Sequence, residues 1–235
     1  ADGLFPLRLR AAEGDIVLDL TLEAGKPLVL QGELGLSRKS AEPGNASYYY
    51  SYTRLPTRGV VTVGDQRFPV SGASWLDREW STSALGPEQE GWDWFALQLD
   101  DGRELMFYRL RRKNGTVDPH SSGVLVEADG RYRPLAAEAV AVRPLAYWTS
   151  PESGDRYPVR WRLALPAEDL ELIVAARLPD QEMRLTVRYW EGAVSVEGRQ
   201  RERALRGQGY LEMTRYGRRA GGQPAKASTE PSRQP

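Results

Sequence analysis

Trp92-Asp93-Trp94-Phe95-Ala96-Leu97-Gln98-Leu99-Asp100, then Asp101-Gly102, then Glu104-Leu105-Met106-Phe107-Tyr108-Arg109-Leu110-Arg111 read together as one β-hairpin. Asp-Gly suits a tight hairpin turn because the chain must adopt positive φ there. Side chains alternate across a strand, so Trp92 and Trp94 share one face while Phe95, Leu97 and Leu99 share the other. Both faces of this strand are therefore apolar or amphipathic.

The same alternation runs outward from the hairpin over residues 4–216. Ile16, Leu18, Leu20 and Leu22 alternate with Val17, Asp19 and Thr21. Val159, Trp161, Leu163 and Leu165 alternate with Arg160, Arg162 and Ala164, and Met183, Leu185, Val187 and Tyr189 with Arg184, Thr186 and Arg188. A two-residue period with one apolar side is the mark of a half-buried antiparallel strand. Asn114-Gly115, Asp129-Gly130 and Glu191-Gly192 add further turn signals. Glu168–Ala176 comes nearest to a helix, but its Leu170, Leu172, Val174 spacing favours a strand. The predicted fold class is all-β, with about thirteen or fourteen short strands in an antiparallel barrel or sandwich.

The chain has 235 residues, with 32 basic and 32 acidic side chains and no net charge. That balance argues against nucleic acid as a partner, which would require a surplus of Lys and Arg. No apolar run reaches the roughly 18 residues of a transmembrane helix. There is no Cys and a single His, which rules out thiol nucleophiles, disulfides and Cys- or His-rich metal sites. His120 lies in the polar loop NGTVDPHSSG, without a second histidine or a nucleophile beside it, and reads as a surface residue. No G-x-S-x-G, G-x-G-x-x-G or P-loop is present, and neither cofactor nor metal is expected. Any catalysis would fall to carboxylates, tyrosines and desolvation.

Ser83–Glu90 (SALGPEQE), small and polar with a proline, marks a division. After it come about eight strands, the content of one up-and-down barrel; before it come about six or seven, too few to close a barrel comfortably. This gives residues 1–85 as a first β module, 86–216 as a second and 217–235 as a tail. From Arg218 the text RRAGGQPAKASTEPSRQP has alanine as its only apolar type and is expected to be disordered. The opening ADGLFPLRLR lacks an initiator Met, a basic n-region and an apolar h-region. Together with the strand count, it suggests that further sequence precedes it. The absence of cysteine suits a periplasmic or exported bacterial protein, with the cytoplasm as the alternative.

Aromatic residues are bunched. Tyr48, Tyr50 and Tyr52 share one strand face and Tyr49 and Ser51 the other, while Trp75 and Trp80 flank Asp77 and Glu79. Such residues either fill a core or line a barrel cavity for a lipophilic small molecule, with Tyr48, Tyr50, Tyr52, Trp75, Trp80, Trp92 and Trp94 as candidate ligand contacts. In Trp75-Leu76-Asp77-Arg78-Glu79-Trp80, alternation puts Trp75, Asp77 and Glu79 on one side. Burial and mutual repulsion would raise at least one carboxyl pKa and leave a proton donor near neutrality, making Asp77 and Glu79 the candidate catalytic pair. The alternative is an ion-pair latch between modules, with Arg54, Arg78 or Arg109 neutralising the acids.

EPGNASYYYSYTRL (Glu42–Leu55), SGASWLDREWSTSAL (Ser71–Leu85), GWDWFALQLDDGRELMFYRLR (Gly91–Arg111) and VRYWEGAVSVEG (Val187–Gly198) carry a family likeness. They resemble the lipocalin-like carotenoid 1,2-hydratase (hydroxyneurosporene synthase) family, and more closely its bacterial AttH-type branch. The likeness runs from about Gly3 to Tyr216. It implies two consecutive lipocalin-like (calycin) antiparallel β-barrel modules, the first incomplete, and an export signal or lipid anchor ahead of them. The branch is encoded beside ABC exporter components, which makes those the implied partners. Characterised members hydrate a carotenoid double bond, hydrate a plant defence isoflavonoid, or promote cyclisation in fungal metabolite synthesis, without a metal or redox cofactor. The family's acid falls on Asp77; members with a D-H-N-W motif have His and Asn where this chain has Arg78 and Glu79.

Three functions follow. The first is a cofactor-free hydratase acting on an unsaturated lipophilic molecule, with Asp77 as general acid and Glu79 as its partner or water-activating base. The second is a non-catalytic periplasmic carrier or chaperone that holds lipophilic cargo for an ABC exporter. The third is a structural module whose cavity is filled by its own side chains.

Overall fold

The computed structural model describes residues 3–81, 85–184 and 188–216. The expected disordered tail at 217–235 lies outside the described residues, as do Ser83 and Ala84 of the expected division and Leu185, Thr186 and Val187 of one alternating stretch. Among the described residues the regular structure is antiparallel β-strand apart from two short 3-10 turns, Ala137–Ala139 and Pro166–Glu168.

The first sheet comprises β1 (Leu7–Glu13), β2 (Ile16–Leu22), β3 (Val29–Leu30), β4 (Leu36–Arg38), β5 (Ala46–Val63) and β6 (Gln66–Ser81). The long β5 is its spine. One edge pairs first with β4 and β3 and then with β2, and the other edge pairs along its length with β6. At the far end, register places Leu9, Ile16, Val63 and Phe68 on one face, all of them exposed.

The second sheet starts with β7 (Gln89–Leu99), β8 (Glu104–Arg112), β9 (Ser122–Val126) and β10 (Tyr132–Ala136). It continues with β11 (Ala141–Thr149), β12 (Arg156–Leu165), β13 (Leu170–Ala176), β14 (Glu182–Arg184), β15 (Arg188–Gln200) and β16 (Arg203–Thr214). Its order is β10-β9-β8-β7-β16-β15-β13-β12-β11, with β14 on β15. The hairpin read from residues 92–111 is β7 and β8, with Phe95 opposite Phe107 and Leu97 opposite Leu105. Gly102, Gly115 and Gly130 turn at φ of +87°, +83° and +87°, as their Asp-Gly and Asn-Gly signals predict.

Some expectations are corrected. There are sixteen strands among the described residues, ten of them in the second sheet; the additions include the very short β3, β4 and β14. Glu191-Gly192 is not a turn but lies inside β15. Glycine there leaves room for the Gln181 side chain, which a Cβ would approach to 2.1 Å and whose Oε1 accepts the Ala193 N–H at 2.9 Å. Met183 and Tyr189 do not follow one another along one strand but face each other across the antiparallel β14–β15 pair.

The second sheet curls around its own core. Phe95, Phe107, Trp161, Leu163, Leu172, Trp190, Val194 and Leu211 pack inside it, with Phe95 and Trp161 edge to face at 5.4 Å. The interior expected to hold a ligand is thus filled with side chains. The opposite face of β7, β8 and β9 packs against the first sheet, where Met106, Tyr108, Leu110, Val124 and Val126 meet Val29 and Tyr49. A charge cluster fastens this contact. Glu104, fully buried, accepts Arg54 Nε at 2.5 Å, Lys26 Nζ at 2.8 Å and Thr53 Oγ1 at 3.1 Å. Lys26 also donates to the Glu127 carbonyl at 2.7 Å.

Candidate functional site

The β5–β6 register sets Ser47 opposite Ser81, Tyr49 opposite Glu79, and Ser51 opposite Asp77. Directly paired residues share a face, so hydroxyl donors of β5 meet carboxylate acceptors of β6. Ser51 Oγ donates to Asp77 Oδ1 at 2.5 Å, Trp75 Nε1 to the same oxygen at 2.8 Å, and Tyr49 Oη to Oδ2 at 3.0 Å. Trp94 Nε1 in turn donates to Tyr49 Oη at 3.1 Å.

This face closes over β7, β8 and β16 to leave a cavity of ≈ 310 Å³. Its apolar wall is Tyr49, Leu85, Trp92, Trp94, Tyr108 and Leu110, and its polar groups include Lys39, Asp77, Glu79 and Glu212. The cavity lies between the two sheets, not within the second.

Electrostatics separate the three carboxyl groups. Glu79 is 38% exposed and is neutralised by Lys39 at 2.9 Å, with Ser47 Oγ at 2.5 Å. Lys39 Nζ also stands 4.1 Å from the centre of the Tyr108 ring. Asp77 is pushed above the ordinary aspartate value by burial, against the pull of its three donors. Glu212 has one donor, Trp92 Nε1 at 2.7 Å, and burial raises its pKa to about 7, assisted by the charges of Glu191, Glu79 and Asp77. Tyr49 stays a neutral donor, because burial and the adjacent Asp77 and Glu79 hold its pKa well above the tyrosine range.

Of the residues singled out in the sequence, Asp77, Glu79, Trp92 and Trp94 line this cavity, and Trp75 lines an adjoining one with Asp77 and Trp94. Tyr48, Tyr50, Tyr52 and Trp80 line neither; they lie on the opposite face of β5 and β6. Tyr48 is 69% exposed and Trp80 50%, and Tyr50 packs on Tyr52 and Trp80 in an external cluster. The cations expected at the acid pair go elsewhere. Arg54 binds Glu104, Arg109 binds Asp93 at 2.7 Å, and Arg78 lies over the Trp80 ring. An inter-sheet latch does exist, but it is built on Glu104. His120 is half-buried, with Nδ1 at 3.0 Å from Asp118 Oδ1.

Sequence reasoning missed Tyr49, Lys39 and Glu212. Glu212 alternates with the core residues Leu211 and Met213, which marks it as facing the other side of the sheet; its pairing with Trp94 is non-local and unreadable from the chain. Among the described residues no group of three or more His, Cys, Asp or Glu is placed to hold a metal ion, and no helix is long and apolar enough to cross a membrane.

The AttH-like family profile matches residues 1–216. The chain belongs to the AttH-like family. A crystal structure of an AttH from Nitrosomonas europaea is 35% identical with a TM-score of 0.82, over 90% of this chain and 65% of that one. Kievitone hydratase from Nectria haematococca shares the fold at 18% identity and a TM-score of 0.72, over 88% of this chain and 64% of that one. CghA does so at 17% identity and a TM-score of 0.55, over 88% of this chain and 63% of that one. This AttH-like chain therefore spans just under two thirds of the length of these solved relatives. No curated protein matches it.

Proposed function

We propose that the cavity between the sheets binds an unsaturated lipophilic small molecule and catalyses addition of water to its double bond. The observation that carries this reading is that Asp77 and Glu212, one from each sheet, reach into a pocket walled by Trp92, Trp94, Tyr108 and Leu110. Burial raises the pKa of Asp77, but three donors pull it back toward the charged form, whereas Glu212 has a single donor and keeps its proton up to about pH 7. Glu212 is therefore the acid and Asp77 the base, the reverse of the Asp77 role that the family resemblance implies. Glu212 gives its proton to one alkene carbon, and the cation left on the other faces the indole walls. Water adds its oxygen there and loses a proton to Asp77, and proton exchange with solvent restores both acids. Glu79, paired to Lys39, sets the charge at the cavity rim.

Kievitone, the compound named by one relative, is the first substrate to try, with product detected as a mass gain of one water. Glu212→Gln and Asp77→Asn should each lower turnover about 10²–10⁴-fold, the usual worth of a positioned proton-transfer group. On any verified substrate, full turnover by both variants overturns the assignment of Glu212 and Asp77 as acid and base.

A second reading draws on the hydrogen-bonding of Asp77, whose three donors also suit a purely structural carboxylate. In it the protein is a periplasmic carrier or chaperone handing lipophilic cargo to an ABC exporter, and ligand binding is insensitive to Asp77→Asn. Both readings rest on two lipocalin-like modules, 1–85 and 86–216, meeting at the cavity.

A further inference from the structure

A second cavity, of ≈ 560 Å³, lies on the other side of Asp77, Trp94 and Glu212, which line both spaces. Trp75 and Trp94 meet edge to face at 6.5 Å in its wall. Its floor is kept low by Ala73, Ala96 and Ala193. The Gly209 backbone also lines it, where β16 lies so close to β7 that a Cβ would stand 2.1 Å from the Ala96 carbonyl oxygen.

The lining also carries polar groups away from the acids: Gln208 and Arg177, with Arg177 the sole basic residue among the described lining residues. The Arg177 backbone N–H donates to the Ala193 carbonyl at 2.9 Å, which ties this arginine to the groove wall. Its guanidinium is exposed and has no side-chain hydrogen bond or ion pair among the described residues. Arg54, at the contact of the two sheets, and Arg109 and Arg111, inside the curled second sheet, are by contrast each paired with a buried carboxylate. The groove thus combines the carboxyls of Asp77 and Glu212, two indoles and a set of small residues with one uncommitted cation.

We propose that the two cavities are arms of one elongated site, and that the second arm takes the anionic end of an amphiphile whose apolar body crosses Trp94. This extends the lipophilic-ligand reading of the first cavity and rests on it. The apolar stretch is matched by Trp75, Trp94, Ala96 and Ala193, and the anionic terminus by Arg177. An exposed guanidinium adds modest affinity that salt screens, so it acts as an orienting anchor more than a source of binding strength.

Parinaric acid and its methyl ester test this, because the conjugated tetraene accepts energy from tryptophan and the pair differ only in charge. At low salt the wild-type protein should bind the acid about fivefold more tightly than the ester, the upper range for a solvent-exposed ion pair. Arg177→Gln should remove that preference by weakening the acid alone, and Ala193→Trp, which fills the second arm, should weaken both probes. Equal binding of acid and ester by the wild type, or an acid preference that survives Arg177→Gln, overturns the second arm while leaving the first cavity's reading intact. Absence of energy transfer to either probe overturns both.

Discussion

Glu212 Oε1 accepts the Trp92 indole N–H at 2.7 Å, and this single donor is all that offsets its removal from water. A carboxyl with a folded-state pKa of about 7 has been raised above its unfolded value. Its contribution to stability is fully present below the unfolded carboxylate pKa and is lost as pH rises through about 7. Urea unfolding of the wild type and Glu212→Gln between pH 5 and 8 should show the variant gaining relative stability as pH increases. A constant difference across that range would place Glu212 in water.

The same titration sets the activity profile. If Glu212 supplies the proton, hydration of a verified substrate declines as pH rises through about 7, and Glu212→Gln abolishes that limb along with most of the rate.

Trp161 and Trp94 separate core from cavity. Trp161 is fully buried inside the curled second sheet, so Trp161→Ala should cost about 3–5 kcal/mol in denaturant unfolding. Trp94 lines both cavities, and Trp94→Ala should cost less stability but weaken binding of a tetraene probe. Equal stability losses would argue that Trp94 is simply packing.

Glu104 should be the costliest acid to neutralise. Glu104→Gln leaves Lys26 and Arg54 facing a neutral group in a buried contact, with an expected loss of about 3 kcal/mol or more. Glu79→Gln, at a partly exposed pair with Lys39, should stay within about 1 kcal/mol. Both are read from urea midpoints.

Two glycines test the close approaches. Gly209→Ala drives a methyl against the Ala96 carbonyl, backbone that cannot step aside, and should cost about 1–3 kcal/mol. Gly192→Ala displaces only the Gln181 side chain and its bonds to Ala193, and should cost about 1 kcal/mol.

Local rules made the strands legible. The Asp101-Gly102 turn, the alternation through Trp92–Leu99, and the shared face of Trp75, Asp77 and Glu79 all follow from the two-residue period. What the period does not say is which face turns inward. Along Ser47–Tyr52 the tyrosines suggested one face, yet the other, Ser47, Tyr49 and Ser51, is buried, because the carboxylates of Asp77 and Glu79 require donors opposite them. Glu191-Gly192 misled for a related reason, since glycine there serves a contact from Gln181, remote from the local turn rule. Glu212 entered the site only through pairing of β16 with β7, between segments far apart in the chain.

Because Asp77 belongs to one sheet and Glu212 to the other, an occupant of the space between them is mortar as well as cargo. Loading should raise the melting temperature of both halves together, in proportion to the logarithm of free ligand over its dissociation constant. A thermal-shift screen of lipophilic compounds would therefore find natural ligands by their grip on the fold alone, whatever chemistry they undergo.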